Sequence, residues 1–149
     1  MASTCGEGFS MEKRKRVLFV CIENSCRSQM AEALAYLYAQ DTIQAYSAGS
    51  RPSGWINPKA ITVMAELGYG LDSHTSKSLL EIPPIVYDYV ITMGCGDECP
   101  FIPAEFHEDW AIPDPKMLSL EQFRQVRDQI GARVQELAAR IEAGNHANK

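Results

Sequence analysis

The segment Cys21-Ile22-Glu23-Asn24-Ser25-Cys26-Arg27-Ser28 sets a thiol and a guanidinium on either side of five loop residues. It follows a short apolar run and precedes residues at helical spacing. A loop in that position gathers backbone N–H groups and the positive end of a helix around one point, which makes a cradle of phosphate size. The same field favours ionised sulfur, so Cys21 reads as a thiolate nucleophile for a bound tetrahedral oxyanion. Arg27 can return its planar guanidinium to two oxygens of that anion. Ser28 can donate a hydroxyl hydrogen bond to the sulfur, and Asn24 can brace the loop through its amide. Glu23, Ser25 and Cys26 complete the expected binding loop. Alone, Cys21 would read as a buried strand-end cysteine and Arg27 as an ordinary helix-start charge; their joint spacing makes the functional reading the sharper one.

These residues need a rigid platform. Val17-Leu18-Phe19-Val20 is continuously apolar and short, as in a strand buried on both faces. Met30, Leu34, Leu37 and Tyr38 then follow a helical period, with Glu32 off that stripe. Ile43 to Ser47 predicts a second strand ended by Ala48-Gly49. Asn57-Pro58 caps a helix through Leu67 that Gly68 stops. Val86 to Thr92 predicts a third strand and Phe106 to Ala111 a fourth. Ser119 and Gln122 form a capping box ahead of Phe123, Val126, Ile130, Val134, Leu137 and Ile141, with Gly144 as the stop. Strands alternating with helices predict an α/β fold: a parallel sheet flanked by helices on both faces, with its ligand site beyond the carboxyl ends of the strands.

The chain has 149 residues, 46% of them hydrophobic and 22% charged, which suits one compact domain. We expect a disordered leader over 1–14, a catalytic domain over 15–143 and a flexible tail over 144–149. The net charge of −5 offers no basic field to a nucleic acid. No apolar run approaches the roughly 20 residues that span a bilayer, and no signal-type segment opens the chain, so we expect a cytoplasmic protein without a membrane partner. Five cysteines, clustered at expected strand ends, fit reduced reactive thiols better than a disulfide framework. Cys5 falls in the leader and reads as an incidental thiol.

The stretch VLFVCIENSCRSQMAEALA resembles the catalytic segment of the low-molecular-weight protein tyrosine phosphatases and of the arsenate reductases built on that fold. The resemblance continues through YSAGS, NPKAI, SHTSK, ITMGCGDECP and IPDP, over most of residues 16–142. It implies a four-stranded parallel sheet in a flavodoxin-like three-layer sandwich, with Cys21 as nucleophile, Arg27 as oxyanion clamp and Asp114 as general acid. A carboxylic acid opposite the nucleophile can protonate the oxygen that leaves phosphorus or arsenic. By residue type alone, Asp114-Pro115 reads as a turn.

Cys95 and Cys99, directly after the third strand, separate the two branches of the family. Hydrolysis does not need two further thiols there; reduction does. In thioredoxin-coupled arsenate reductases, paired cysteines after this strand attack the first thiol and carry the disulfide away. The resemblance therefore implies Cys95 as second nucleophile and Cys99 as resolving thiol, with Gly94 and Gly96 permitting loop movement. It also implies arsenate as substrate, phosphate as its analogue, no resident metal or organic cofactor, and thioredoxin or a glutaredoxin-type or small-thiol reductant. Half a zinc site with His107 is the competing reading of the pair, and a phosphate-ester hydrolase the competing activity. A monomer is expected.

Several positions depart from the family pattern. Glu23 stands where many relatives have glycine and is expected to point outward. Lys116-Met117 replaces the tyrosines typical of the phosphatases. Only three residues separate Cys95 from Cys99. Asn24, Glu32 and Ser47 match the ligands of a potassium site in relatives, but Lys77 replaces a carboxylate there, so its ammonium is expected to stand in for the cation. His74 reads as a hydrogen-bonded structural histidine, and His146 as part of a polar tail. Trp55 and Trp110 fit either the site's rim or the core.

Overall fold

The computed structural model describes residues 14–95 and 99–144. Four strands, β1 (Lys15–Cys21), β2 (Ile43–Gly49), β3 (Tyr87–Thr92) and β4 (Ala104–Asp109), form one parallel sheet in the order β2-β1-β3-β4. Three α-helices accompany them: α1 (Arg27–Ala39), α2 (Pro58–Ala65) and α3 (Leu120–Glu142), with a 3-10 turn at Leu71–Ser73. Cys5, His146, most of the expected leader and nearly all of the expected tail lie outside the described residues.

Central strands are apolar because both faces are covered. Val17, Leu18, Phe19 and Val20 are all fully buried, and they alternate between two clusters. Phe19 joins Met30, Leu34, Met64, Phe123, Ile130 and Val134 on the face where all three helices pack. Leu18 and Val20 join Tyr87 and Val90 on the other. That second face is closed by Leu79, Ile82, Ile85, Cys99 and Ile102. Its cover among the described residues is irregular chain instead of the helical layer expected there. Pro83-Pro84 removes two backbone donors from the segment that crosses this face, which rules out a helix interior.

The element ends follow local chemistry. The Ser119 hydroxyl accepts from Gln122 N, and the Gln122 side chain accepts from Ser119 N, completing the expected capping box. Asn57 Oδ1 accepts from Lys59 N with Pro58 in the first turn. Gly68 and Gly144 adopt φ of +84° and +77°, as the two helix stops require. The fourth strand begins two residues earlier than expected and ends before Trp110. It is an edge strand whose alternation AEFHED is half polar, and Trp110 turns into the core against Phe19 at 5.7 Å. Tyr38 does not join the buried stripe of α1; its ring instead lies over Gly131 of α3, which has no side chain to displace it.

Candidate active site

The sheet register brings Cys21 level with Gly49 at the end of β2, while Val20 pairs with Thr92 at the end of β3. Three strand ends therefore deliver their following loops to one edge. The chain after β2 clamps the loop that follows Cys21: Ser50 N donates to Cys21 O, Arg51 N to Ile22 O and Ser53 N to Glu23 O. Gly49 is indispensable to this approach, since a Cβ there would lie 2.6 Å from Ile22 O and 2.9 Å from Asn24 N. The sequence reading took Gly49 only as a strand end; a contact between segments so far apart leaves no local signal.

Asn24 occupies the left-handed region at φ +52°, a conformation asparagine tolerates better than most residues. Its amide orientation is dictated by its surroundings. Oδ1 accepts from the backbone N–H of Lys77 at 2.9 Å and from Gln29 Nε2 at 2.8 Å, so Nδ2 must face Ser28 and donate to its hydroxyl at 2.7 Å. Ser28 Oγ lies 2.9 Å from Cys21 Sγ; when the sulfur is ionised the hydroxyl is the donor, since a thiolate has no proton to give. Gln29 is held in turn by His74, whose Nδ1 lies 2.8 Å from Gln29 Oε1, while His74 Nε2 meets the Tyr69 hydroxyl at 2.5 Å. Gln29 Oε1 can only accept, so Nδ1 carries the proton. His74 is thus a structural histidine, separated from the sulfur by Gln29, Asn24 and Ser28 in turn. Gln29 escaped the sequence reading because glutamine on a helix ordinarily faces water.

Arg27 is 5% exposed and reaches two further loops. Nη1 donates to Met93 O, just past β3, and to Ile112 O at 3.0 Å, while Nη2 lies 3.8 Å from Asp114 Oδ2. Those bonds fix the plane of the guanidinium and leave its Nε–Nη2 edge for two oxygens of an anion. A cavity of about 130 Å³ is lined by Cys21, Ile22, Glu23, Ser25, Cys26, Arg27, Arg51, Asp114 and Lys116. The expected nucleophile, clamp and acid are brought together there. Asn24 and Ser28 stand behind the sulfur instead of on the cavity wall. Burial pushes the Cys26 thiol up to about 12, with Asp114 and Cys21 adding to the rise. Cys26 is therefore a neutral thiol at the site. The side chain of Glu23, expected to face away, lines the cavity and pairs with Lys116 at 2.7 Å.

Cys95 and Cys99 are joined in a disulfide, with their Cα atoms 5.8 Å apart. Cys95 is buried two residues beyond Met93, whose carbonyl holds Arg27. His107 is not with them in a metal site: its Nε2 meets Ile102 O at 2.6 Å and its ring stacks on Phe101. Lys77 Nζ lies among oxygens, 3.2 Å from Thr75 O, 3.4 Å from Ser47 Oγ and 3.9 Å from Glu32 Oε1, with Ser47 also donating to Glu32 at 2.6 Å. The ammonium lies beside Ser47 and Glu32, two of the three expected ligand positions, while Asn24 is met by the Lys77 backbone N–H. Trp110 is core, and Trp55 is half exposed outside the cavity lining.

A loop of this kind between a parallel strand and a helix, with cysteine first and arginine at its end, defines a phosphatase-like oxyanion site. The chain belongs to the low molecular weight phosphotyrosine protein phosphatase family, whose pattern matches residues 16–147. It is 42% identical over 130 residues to the glutaredoxin arsenate reductase of Synechocystis sp., covering 85% of this chain and 98% of that one. Arsenate reductase 1 of Staphylococcus epidermidis is 38% identical, with 87% and 99% covered. Among solved structures, an arsenate reductase in the phosphate binding state matches with a TM-score of 0.76 at 41% identity, covering 85% of this chain and 98% of that one. The thioredoxin-dependent arsenate reductase of Corynebacterium glutamicum matches with a TM-score of 0.71 at 32% identity, covering 96% and 69%.

Proposed function

We propose that the chain reduces arsenate to arsenite through a cysteine relay. The observation that carries this reading is the Cys95–Cys99 disulfide on the loop that follows β3, at the sheet edge that presents Cys21. In the first step the Cys21 thiolate attacks arsenic, and an arsenate oxygen leaves as water after protonation by Asp114. Arg27 and the loop N–H groups hold the remaining oxygens. Cys95 then attacks Cys21 Sγ. The new S–S bond forms as the S–As bond breaks, and its electron pair converts arsenic(V) to arsenic(III), which departs as arsenite. Cys99 attacks Cys95, freeing Cys21 and leaving the Cys95–Cys99 disulfide. An external thioredoxin-type dithiol, or a glutaredoxin-type or small-thiol system, supplies two electrons to reopen it. We place the enzyme in the cytoplasm and expect it to act as a monomer.

A second reading, phosphate-ester hydrolysis, is favoured by one observation: Cys21, Arg27 and Asp114 suffice for it and share one cavity. Arsenite formation by the purified chain, supplied in parallel with each reductant system, tests the proposal. We expect turnover with at least one system, abolished by Cys21→Ser and by Cys95→Ser. No turnover with any reductant, beside robust ester hydrolysis that survives Cys95→Ser, would sink the reductase reading.

A further inference from the structure

Glu23 and Lys116 both line the cavity, one on the loop after β1 and the other just past Asp114. Lys116 Nζ donates to Glu23 Oε2 at 2.7 Å, and Lys116 N donates to Asp114 Oδ1 at 3.1 Å. The pair is on the solvent side of the site: its side chains are 46% and 35% exposed, whereas Cys21 is 3% exposed. The bridge therefore ties the loop after β1 to the segment past Asp114 on the exposed side of the cavity. Pairing with Glu23 also raises the affinity of Lys116 for its proton, so the ammonium persists throughout the neutral range. The cavity that the pair helps to line, about 130 Å³, has room for a tetrahedral oxyanion beside Cys21 and Arg27.

We propose that the Glu23–Lys116 bridge is a specificity gate, admitting free inorganic oxyanions and disfavouring esters that carry an aryl group. An inorganic tetrahedral oxyanion fits below the bridge. An ester must project its organic group outward past the same two residues, which requires the ion pair to part. Parting it also leaves the Glu23 carboxylate without its counter-charge beside a dianionic ligand. Partly exposed ion pairs are individually weak, so the gate biases selection by about fivefold and does not exclude esters absolutely. The inference deepens the arsenate reading, because it explains how a phosphatase-like site would be reserved for a free anion.

The test is protection of Cys21 from alkylation by iodoacetate, read on the Cys21 peptide by mass spectrometry, with inorganic phosphate and phenyl phosphate as competing ligands. It needs no turnover, so it stands apart from arsenite formation; loss of the reductase activity and loss of the gate give separate results. In the native chain, inorganic phosphate should protect at the lower concentration. In Glu23→Ala, in Lys116→Ala and in the double variant, the ratio of half-protecting concentrations should move toward phenyl phosphate by about fivefold. The charge-swapped pair, Glu23→Lys with Lys116→Glu, should restore the native ratio, which a merely structural contribution does not predict. A ratio that stays constant in all variants, or protection by both ligands lost in parallel, overturns the gate.

Discussion

The hydroxyl of Ser28 lies 2.9 Å from the sulfur of Cys21 while Asn24 Nδ2 donates to the same oxygen, so the Ser28 proton is free to meet an ionised sulfur. The Cys21 sulfur is thus supported by a residue that forms no part of the cavity wall. We predict that Ser28→Ala slows alkylation of Cys21 at neutral pH by about tenfold or more, the loss of one hydrogen bond to a charged group costing about 1.5–3 kcal/mol. Asn24→Ala should slow it further, since the loop also loses its brace. An alkylation rate equal to the native one in Ser28→Ala would refute the assignment.

Gly49 is a second positional requirement. Its absent Cβ leaves room for Ile22 O and Asn24 N, so Gly49→Ala must push the binding loop away from β2. We expect the variant to fold, with inorganic phosphate binding weakened by at least tenfold in calorimetry, because a displacement of even about 1 Å at a reacting centre is costly. Native affinity would show that the loop can shift without consequence.

The disulfide has a directional signature. After one turnover with arsenate and no external reductant, peptide mapping should place the new S–S bond between Cys95 and Cys99. In Cys99→Ser it should instead trap Cys21 with Cys95. A Cys21–Cys99 bridge formed in Cys95→Ser with turnover retained would reverse the order of the relay.

Lys77 places an ammonium among Thr75 O, Ser47 Oγ and the Glu32 carboxylate. We predict that replacing potassium chloride with sodium chloride leaves the unfolding temperature and KM unchanged. Lys77→Met should destabilise by about 1 kcal/mol, the scale of a partly screened pair. A potassium-specific rise in unfolding temperature of the native chain would contradict this.

His74 gives a pH dependence of known sign. Burial lowers its proton affinity, Lys77 lowers it further, and Glu32 partly opposes them. The unfolded chain takes up this proton near about pH 6.5, whereas the folded chain resists it to lower pH. Stability is therefore fully present above that value and declines as pH falls below it. Thermal unfolding between about pH 7.5 and about pH 5.5 should show a smaller loss in His74→Gln than in the native chain; equal slopes would count against the assignment.

The partly buried pair Arg140–Glu108 ties the last turn of α3 to β4, with side chains 13% and 5% exposed. Glu108→Gln should cost about 1 kcal/mol in denaturant unfolding without touching the site, because it removes the charge from one partner of a partly exposed ion pair.

Local rules were enough for much of this protein. The apolar run at Val17–Val20, the capping box at Ser119 and Gln122, and the glycine stops at Gly68 and Gly144 act over a few residues, so the strings that encode them are readable in order. The spacing of Cys21 and Arg27 was legible for the same reason: strand, loop and helix start are contiguous. The edge strand β4 was placed late, because half of its residues face water and resemble a loop. The irregular cover of the second face was hidden too, since Pro83-Pro84 forbids a helix but does not say what packs instead. Tertiary structure alone decided that Gly49 would press against Ile22 and Asn24, that Lys77 would help to orient the Asn24 amide toward Ser28, and that Glu23 would meet Lys116 at the cavity. Each of these joins segments brought together only by strand register, and a contact between distant segments depends on the packing of everything between them.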